Sequence, residues 1–327
     1  LAMSGGRPRR GVVLGGGGVL GGAWAVGALD ALQEARGFDV READVIVGTS
    51  AGSVLAALIG SGVSVDQLMA HQRGEPITSG PLAGYMWDYE RATGGSRPSM
   101  PRLRGPGSVR LMASSLRRGL RLPPTAVLSA FLPVGAGSLE RVGHLIDAVT
   151  PWGQWSPHQR LWVVAMDYHT GDRVVFGRED APAVALSDAV MASCAIPGWF
   201  EPIEIAGRTY VDGGAWSATS ADVLGGLDLD EVYVVAPMVS FETDDPSSFL
   251  GRLERRWRGS VTRRCLSEAD RLELGGTAVT ILGPGPADLE AIGGNVMESQ
   301  RRLRVLETSV RTTRETLAQG GGLAPTG

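Results

Sequence analysis

Apolar and polar positions alternate along the first sixty residues in blocks that predict strands and helices in turn. Short apolar runs at Gly11–Leu14 and Asp44–Gly48 have the length and β-branched content of buried strands. Each run precedes a longer stretch with helical spacing, one starting near Leu20 and one over Ala51–Ile59. This alternation is typical of an α/β fold in which a mainly parallel sheet carries helices on its faces. Further strands are predicted at Leu161–Met166, Arg173–Phe176, Arg208–Val211, Glu231–Val235 and Ala278–Leu282.

Two local patterns add to this order of elements. His169-Thr170-Gly171-Asp172 has the composition of a turn joining two antiparallel strands. Near the C-terminus, apolar residues three or four positions apart predict a helical region that is interrupted at Gly293-Gly294. The residues in this pattern are Leu289, Ile292, Val296, Leu303, Leu306 and Val310.

The α/β rhythm fails between residues 81 and 137, which are rich in proline, glycine and arginine. We therefore predict a single domain over residues 10–319, with an inserted cap or lid at about 81–137. A flexible tail at 1–9 and a disordered tail at 320–327 would flank it. Four apolar residues of the insertion would either contact a substrate chain or bury the insertion's own core. They are Tyr85, Met86, Trp87 and Phe131.

Charge is distributed unevenly along the chain. The formal net charge is −4, which gives no reason to expect nucleic acid as a partner. From Arg97 to Leu139, however, there are seven arginines and no acidic residue. A basic amphipathic helix within 97–121 can contact an anionic membrane surface or head group, or it can be a packed helix with a solvated arginine face. The sequence leaves both interpretations open. The apolar face of this helix would carry Val109, Met112, Leu116 and Leu120.

The uncharged run Gly11–Leu29 follows three arginines and resembles a secretory signal or a membrane span. Eight of its nineteen residues are glycine, and each glycine costs a helix about 1 kcal/mol relative to alanine. The run therefore divides better into a strand, a glycine loop and a helix. We expect a cytoplasmic or peripherally membrane-associated protein, with secretion the less favoured alternative. The two cysteines are too few for a disulfide framework and are compatible with a reducing compartment.

Gly48-Thr49-Ser50-Ala51-Gly52 places a G-x-S-x-G pattern between a predicted strand and a predicted helix. A serine on such a tight turn projects its hydroxyl from the edge of the sheet, and the helix N-terminus favours negative charge nearby. In a chain this rich in glycine the pattern alone is weak, and a structural turn with a serine N-cap is the alternative. The apolar strand before it and the apolar helix after it favour a nucleophile.

The glycine loop after the first strand fits G-x-G-x-x-G at Gly16, Gly18 and Gly21. This spacing is also a dinucleotide fingerprint, but the next strand ends in Gly48-Thr49-Ser50 rather than in the acidic residue that would hold a ribose. Dinucleotide binding is therefore a weak competitor. Bare glycine amides can instead face an oxyanion, and beside an exposed serine they would complete a nucleophilic site.

The base that would activate Ser50 is predicted to be a carboxylate. We expect the four histidines, at positions 71, 144, 158 and 169, to be surface or packing residues. The segment Tyr210–Gly214 ends a predicted strand with Asp212 and then two glycines, which leave the carboxylate uncovered. An aspartate in hydrogen-bond reach can take the serine proton directly. An ordinary Asp-Gly turn is the alternative.

Together, these three ordered elements and the stretch Ala192–Pro202 resemble the patatin-like phospholipase family of serine lipid acyl hydrolases. The resemblance covers roughly Gly11 to Gly214, without the insertion. It implies a three-layer α/β/α fold, a Ser50–Asp212 dyad, and ester hydrolysis without a metal or a cofactor. It also implies an oxyanion hole formed by the amides of Gly16, Gly17 and Gly18. The remaining motif positions are Gly21, Gly48, Gly52, Gly213 and Gly214.

The chain departs from the family pattern at two places. Leu20 stands where the family usually has arginine or lysine, which bears on the electrostatics of the hole and on head-group preference. Ala218 and Ser220 stand where it often has asparagine and proline, which bears on the turn that orients Asp212. The residues expected to line the substrate pocket are Leu20, Trp199 and Trp216.

The sequence thus predicts a phospholipase A or esterase-like enzyme whose partner is a lipid or acyl-ester substrate. Two alternatives stay open. An acyltransferase could use the same dyad with an alcohol in place of water. A membrane-associated lipid-binding module with a retired active site would share the fold without the reaction.

Overall fold

The computed structural model describes residues 7–87, 107–118, 122–242 and 249–320. In these ranges the strands form one sheet, in which β5, β6, β3, β2, β1, β7 and β8 are neighbours in that order and β4 also pairs with β3. The strands are β1 (Arg10–Leu14), β2 (Val45–Thr49), β3 (Leu161–Asp167), β4 (Arg173–Phe176), β5 (Ile203–Ile205), β6 (Arg208–Asp212), β7 (Glu231–Val235) and β8 (Ala278–Leu282).

Helices cover both faces of this sheet. They are α1 (Gly18–Arg36), α2 (Ala51–Gly60), α3 (Val65–Arg73), α4 (Val109–Arg118), α5 (Pro124–Ser129), α6 (Glu140–Val149), α7 (Leu186–Cys194), α8 (Phe249–Leu274), α9 (Pro286–Ile292) and α10 (Arg302–Ala318). Successive strand residues enter opposite cores: Val12 and Leu14 pack with α1, α2, α3, α6, α7 and α10, whereas Val13 packs with α8. The predicted three-layer α/β/α fold is confirmed.

The predicted division of the glycine-rich N-terminal run is also correct. α1 begins at Gly18, slightly before the predicted start near Leu20. It packs along α10 so closely that a Cβ on Gly27 would lie 2.8 Å from the Leu306 carbonyl oxygen. Among the described residues, no helix has both the length and the apolar character needed to cross a membrane.

Arg9, the last residue of the expected flexible tail, contacts the segment that precedes β7. The Arg9 amide donates a hydrogen bond to Asp230 at 2.6 Å, and the Arg9 guanidinium bonds to Asp228 at 2.6 Å. Residues 1–6 of the expected flexible tail lie outside the described residues. The expected C-terminal tail lies outside the described residues from 321 onward.

Two elements of the insertion, α4 and α5, pack on the carboxyl end of the sheet. Leu111 and Ala126 form a small separate core there with Met166 and Val211. The Tyr168 hydroxyl donates a hydrogen bond to the Ser129 carbonyl at 2.8 Å and fastens α5 to the sheet. Of the arginine-rich stretch, residues 97–106 and 119–121 lie outside the described residues, as do residues 88–96 of the expected cap.

The pairing of β3 brings two strand ends together. β2 runs parallel to β3, with Thr49 opposite Val164, and β6 runs antiparallel to it, with Asp212 opposite Ala165. Even-numbered residues in and beside β3 direct their backbone groups toward both partners: the Arg160 carbonyl, just before β3, accepts a hydrogen bond from the Ile46 amide of β2, and the Tyr168 amide, just after β3, donates one to the Thr209 carbonyl of β6. β2 and β6 therefore occupy the same edge of β3 one after the other. Their carboxyl ends, Thr49 and Asp212, meet head-on.

Candidate active site

Ser50 sits on a strained turn between β2 and α2. Its backbone has a φ of 53°, a left-handed conformation that is uncommon outside glycine. The flanking motif glycines are required by close approach: a Cβ on Gly52 would lie 2.0 Å from the Leu14 carbonyl oxygen, and one on Gly48 would lie 2.5 Å from the Ser53 Cα. The tight turn predicted from the G-x-S-x-G pattern is therefore present, with the serine at its apex.

Ser193 holds this turn against the sheet. Its hydroxyl accepts a hydrogen bond from the Ser50 amide at 2.9 Å and donates one to the Val164 carbonyl at 2.6 Å. The Ser50 carbonyl in turn accepts hydrogen bonds from the amide and the hydroxyl of Ser53, both at 2.7 Å. Since the backbone on both sides of Ser50 is held by hydrogen bonds, the direction of its Cα–Cβ bond is fixed as well.

Asp212, the last residue of β6, faces Ser50. Its carboxylate accepts a hydrogen bond from the Gly214 amide at 2.7 Å, and the Ser50 hydroxyl lies close enough to lower its pKa. Burial raises the pKa of Asp212 to about 6, although both of these neighbours act in the opposite direction. A Cβ on Gly213 would lie 2.4 Å from the Val164 carbonyl oxygen, so only glycine lets the chain turn here. The two residues predicted as a dyad are thus side by side.

The glycine loop lies next to this pair, but its three predicted amides are not equivalent. The Gly16 amide donates a hydrogen bond to the Ala218 carbonyl at 2.8 Å, so it is already satisfied and does not fit the role expected of it. The amides of Gly17 and Gly18 have no acceptor among the described residues. Both stand at the N-terminus of α1, where the helix dipole favours negative charge. Gly21 lies one turn into α1, and its amide bonds to the Gly17 carbonyl.

The segment after Asp212, where the chain departs from the family pattern, is braced by Glu268 of α8. This buried carboxylate accepts hydrogen bonds from the Ser217 and Thr219 hydroxyls, each at 2.6 Å, and from the Ala221 amide at 2.9 Å. Burial raises its pKa. Ser220 sits within the braced segment with a φ of 53°. The turn that places the Ala218 carbonyl under the glycine loop is therefore held without the asparagine and proline.

An apolar cavity opens from one side of Ser50. Its empty space is about 800 Å³ including its mouth, within the size range of small-molecule sites. Two ionisable groups in its wall are neutral at pH 7: burial and Arg302 lower the pKa of His71 to about 4, and burial raises that of Cys194. We call this the acyl cavity. Its other lining residues come mainly from α2, α3 and α6 and include Leu55, Leu58, Leu68, Leu139, Val142, Leu145, Phe200 and Met297.

A second cavity opens from the other side of Ser50. Its wall includes Asp212 and the glycine loop, whereas the acyl cavity is lined by Gly18 of that loop and not by Asp212. We call it the outer cavity. Its mouth is formed by residues of α5 and of the segment after it, and by α8. They include Thr125, Leu128, Leu132 and Trp257.

The three residues expected to line the pocket lie elsewhere. Leu20 is fully buried in the core that contains α1 and α2, and its amide donates a hydrogen bond to the Val296 carbonyl. Trp199 packs against Phe200 and the main core. Trp216 lines a neighbouring cleft that does not contain Ser50. Leu20 and Trp199 line neither cavity beside Ser50, and Trp216 lines only the neighbouring cleft, because the direction of a side chain depends on the local backbone and not on its distance along the chain from a motif.

Several residues that do line the acyl cavity were not expected there. His71, interpreted as a surface or packing residue, forms part of its wall, with Trp87 next to it at a ring distance of 6.4 Å. Of the other residues discussed for the insertion, Met86 and Phe131 are exposed and Tyr85 packs against the core. The buried face of α3 was the available signal for His71, because Val65 and Leu68 lie on the same side of that helix.

Comparisons with known proteins gave two similar solved structures and one family model. The crystal structure of VipD from Legionella pneumophila aligns with a TM-score of 0.46 and 14% identity, over 96% of this chain and 67% of that chain. The crystal structure of the type III effector protein ExoU aligns with a TM-score of 0.36 and 17% identity, over 95% of this chain and 53% of that one. The chain thus spans about half the length of the ExoU structure. No curated protein matches the sequence. The family model described as "Patatin-like phospholipase" matches residues 12–224, and the chain belongs to the patatin-like phospholipase family.

Proposed function

We propose that the chain is a lipid acyl hydrolase of the phospholipase A or esterase type that works through a Ser50 acyl-enzyme. One observation carries the proposal: the Ser50 hydroxyl lies beside the buried Asp212 carboxylate, where an apolar cavity meets the amides of the glycine loop. A nucleophile in contact with its base is the arrangement that covalent catalysis requires. Asp212, with a pKa of about 6, is largely ionised at neutral pH and can accept the proton.

In the first half-reaction, the Ser50 oxygen attacks the ester carbonyl carbon while Asp212 takes the hydroxyl proton. The carbonyl oxygen becomes an oxyanion that accepts hydrogen bonds from the Gly17 and Gly18 amides. When the tetrahedral intermediate collapses, the bond to the alcohol breaks and the alcohol leaves with the proton from Asp212. Preorganised amides at a helix N-terminus stabilise such charge without reorganising.

In the second half-reaction, a water molecule attacks the acyl-enzyme carbonyl and gives its proton to Asp212. Collapse releases the fatty acid and returns the proton to Ser50. The acyl chain occupies the acyl cavity throughout, since its wall is apolar and its ionisable residues are neutral. Burying each methylene of the chain there contributes about 0.8 kcal/mol.

Turnover of a p-nitrophenyl acyl ester by purified Ser50→Ala tests the proposal. We expect activity to fall by about 10⁴-fold or more, as for other serine nucleophiles, while circular dichroism shows an intact fold. Ser61→Ala is the matched control, because Ser61 is a buried serine at the far end of α2, bonded to Thr150 at 2.6 Å. Turnover of Ser50→Ala equal to that of Ser61→Ala would refute the dyad.

Two further measurements separate the alternatives. A fluorophosphonate probe labels Ser50 if the nucleophile is active, and leaves it unlabelled in a retired lipid-binding module. Product analysis with and without an added alcohol distinguishes hydrolysis from acyl transfer. The contact between Ser50 and Asp212 favours an active nucleophile.

We also propose that the insertion contacts the lipid surface. Leu128, which is 62% exposed at the mouth of the outer cavity, lies near the exposed Phe131. Val109 and Leu116 of α4 are exposed as well. Clustered exposed apolar residues around a cleft are typical of interaction sites. Sedimentation with anionic vesicles should decrease in Leu128→Ser/Phe131→Ser, and equal sedimentation of both proteins would contradict this contact.

A further inference from the structure

A polar cleft continues the outer cavity on the side away from the acyl cavity. The two share Thr125, Gly214, Ala218 and Trp257 in their walls. Because the Gly214 amide is bonded to the Asp212 carboxylate, the cleft begins directly beside the proposed base. We call it the arginine cleft. Its remaining wall includes Trp216, Ser260, Arg263, Arg264, Ser267 and Arg271.

The charge of this cleft is positive. Three arginines line it with a single carboxylate, Glu268, whose oxygens already accept three hydrogen bonds from the protein. Arg264 lies 3.4 Å from Glu268, and Arg271 lies 3.5 Å from Asp222. Arg263 is exposed and forms no ion pair with any residue of the described ranges. Among the described residues, at least one guanidinium of the cleft therefore has no carboxylate partner.

Trp216 gives the cleft a rigid wall. The guanidinium of Arg264 lies over its ring at 5.5 Å, and that of Arg173 lies over it at 5.8 Å. Arg173 is itself fixed by two hydrogen bonds to Asp222, at 2.6 and 3.0 Å. Cation–π contacts and paired hydrogen bonds restrict these side chains, so Arg264 is held in place before any ligand binds.

We propose that the arginine cleft binds the phosphate of a glycerophospholipid substrate. This inference rests on the proposed function. The planar guanidinium fork matches the oxygens of a phosphate, and the Ser260 and Ser267 hydroxyls supply further donors. A phospholipid then lies with its acyl chain in the acyl cavity, its ester beside Ser50, its glycerol in the outer cavity and its phosphate against Arg263 and Arg264.

Binding can be measured without turnover. Calorimetry of Ser50→Ala with sn-glycerol 3-phosphate should show saturable binding that weakens with salt, and adding Arg263→Gln should weaken it at least fivefold. Arg160→Gln is the matched control, because it removes the same charge from an exposed residue just before β3, away from the cleft. Absence of saturable binding, or equal weakening by both substitutions, overturns the proposal. Either result overturns the proposal even if the enzyme hydrolyses simple esters.

A substrate comparison then identifies the source of the phosphate. We expect Arg263→Gln to lower the ratio of kcat/KM for short-chain phosphatidic acid to that for p-nitrophenyl butyrate by at least tenfold, and Arg263→Glu to lower it further. An unchanged ratio together with weakened glycerol phosphate binding would mean that the cleft holds a free anion, which overturns the head-group assignment. Failure to turn over either ester refutes the proposed function instead, and leaves the calorimetry as the test of the cleft.

Discussion

Two buried carboxylates, Asp212 and Glu268, stand on either side of the segment that follows β6. Burial raises the pKa of both. Glu268 accepts three hydrogen bonds, from Ser217, Thr219 and Ala221, all within that one segment. Asp212 accepts a hydrogen bond from the Gly214 amide and faces the Ser50 hydroxyl, which lowers its pKa.

The two carboxylates are both buried, and they differ in the groups that face their oxygens. All three hydrogen bonds to Glu268 hold the turn that follows β6, so this carboxylate acts as a structural anchor. One of the groups beside Asp212 is a hydroxyl that faces two cavities and can lose its proton to the carboxylate. A raised pKa alone therefore does not identify a catalytic base, because structural networks perturb pKa values as well.

Replacing each carboxylate by its amide gives the largest contrast. Asp212→Asn should lower kcat by about 10²–10⁴-fold, the usual contribution of a general base. It should also stabilise the fold at pH 7. A carboxyl whose folded pKa is raised from 3.8 to about 6 contributes its stability below pH 4 and loses it as the pH rises through 6. The gain is on the order of 2–3 kcal/mol and should vanish near pH 4 in urea unfolding. Wild-type activity, or destabilisation at pH 7, would contradict this assignment.

The glycine loop, which Glu268 supports through the Ala218 carbonyl, gives the next largest effect. In Gly17→Ala the new Cβ would lie 2.8 Å from Pro237 Cγ and 2.9 Å from the Gly21 Cα, so the loop must shift. This shift moves the Gly17 amide away from the oxyanion, and loss of one such donor should lower kcat by about 10²–10³-fold. Gly294→Ala is the control, because a Cβ there meets no atom within 4 Å. Equal kcat values for the two variants would remove the Gly17 amide from the proposed hole.

The pH dependence of kcat/KM also distinguishes the two carboxylates, through a smaller change in rate. Since Asp212 must be ionised to act as a base, kcat/KM should rise with pH through a midpoint near 6 and be about tenfold lower at pH 5 than on the plateau. Stopped assays with a p-nitrophenyl ester measure this profile. Glu268→Gln should keep the midpoint, and a midpoint that moves with Glu268 would assign the titration to the anchor instead.

The smallest effect is expected from Glu268→Gln itself. The amide keeps one acceptor oxygen but turns an NH₂ toward the hydroxyl and amide donors, which should lower the free energy of unfolding by about 1–3 kcal/mol. We expect kcat to fall only a few-fold, since the change acts through the turn. Glu290→Gln, at an exposed position, should change stability by less than about 0.5 kcal/mol. Stabilisation by Glu268→Gln would remove the contrast with Asp212→Asn.

Much of the fold could be predicted because its signals are local. The strands before and after Ser50 are short apolar runs, the G-x-S-x-G glycines mark a turn where backbones nearly touch, and Asp212 ends a strand before two glycines. The interruption predicted at Gly293 is where α9 ends, with a φ of 71°. Each of these features depends on a few consecutive residues.

The rest of the site depends on contacts between residues far apart in the sequence, which no local sequence pattern predicts. The Gly16 amide is satisfied by Ala218, about two hundred residues away in the chain. Leu20 faces the core because of where α1 begins, and the cavity wall gathers His71 and Met297 from opposite ends of the sequence. The head-on meeting of β2 and β6 follows from the register on β3, which hydrophobic periodicity does not specify.

Ser50 lines both cavities, whereas Asp212 lines only the outer one. On the proposed mechanism, this arrangement sets the order in which products leave and the second nucleophile enters. The first product departs through the outer cavity while the second stays bound as an ester, and the incoming nucleophile enters by the route just vacated. Water and any competing alcohol must use that same entrance, so its width and polarity set the partition between release of a free acid and transfer to a new acceptor.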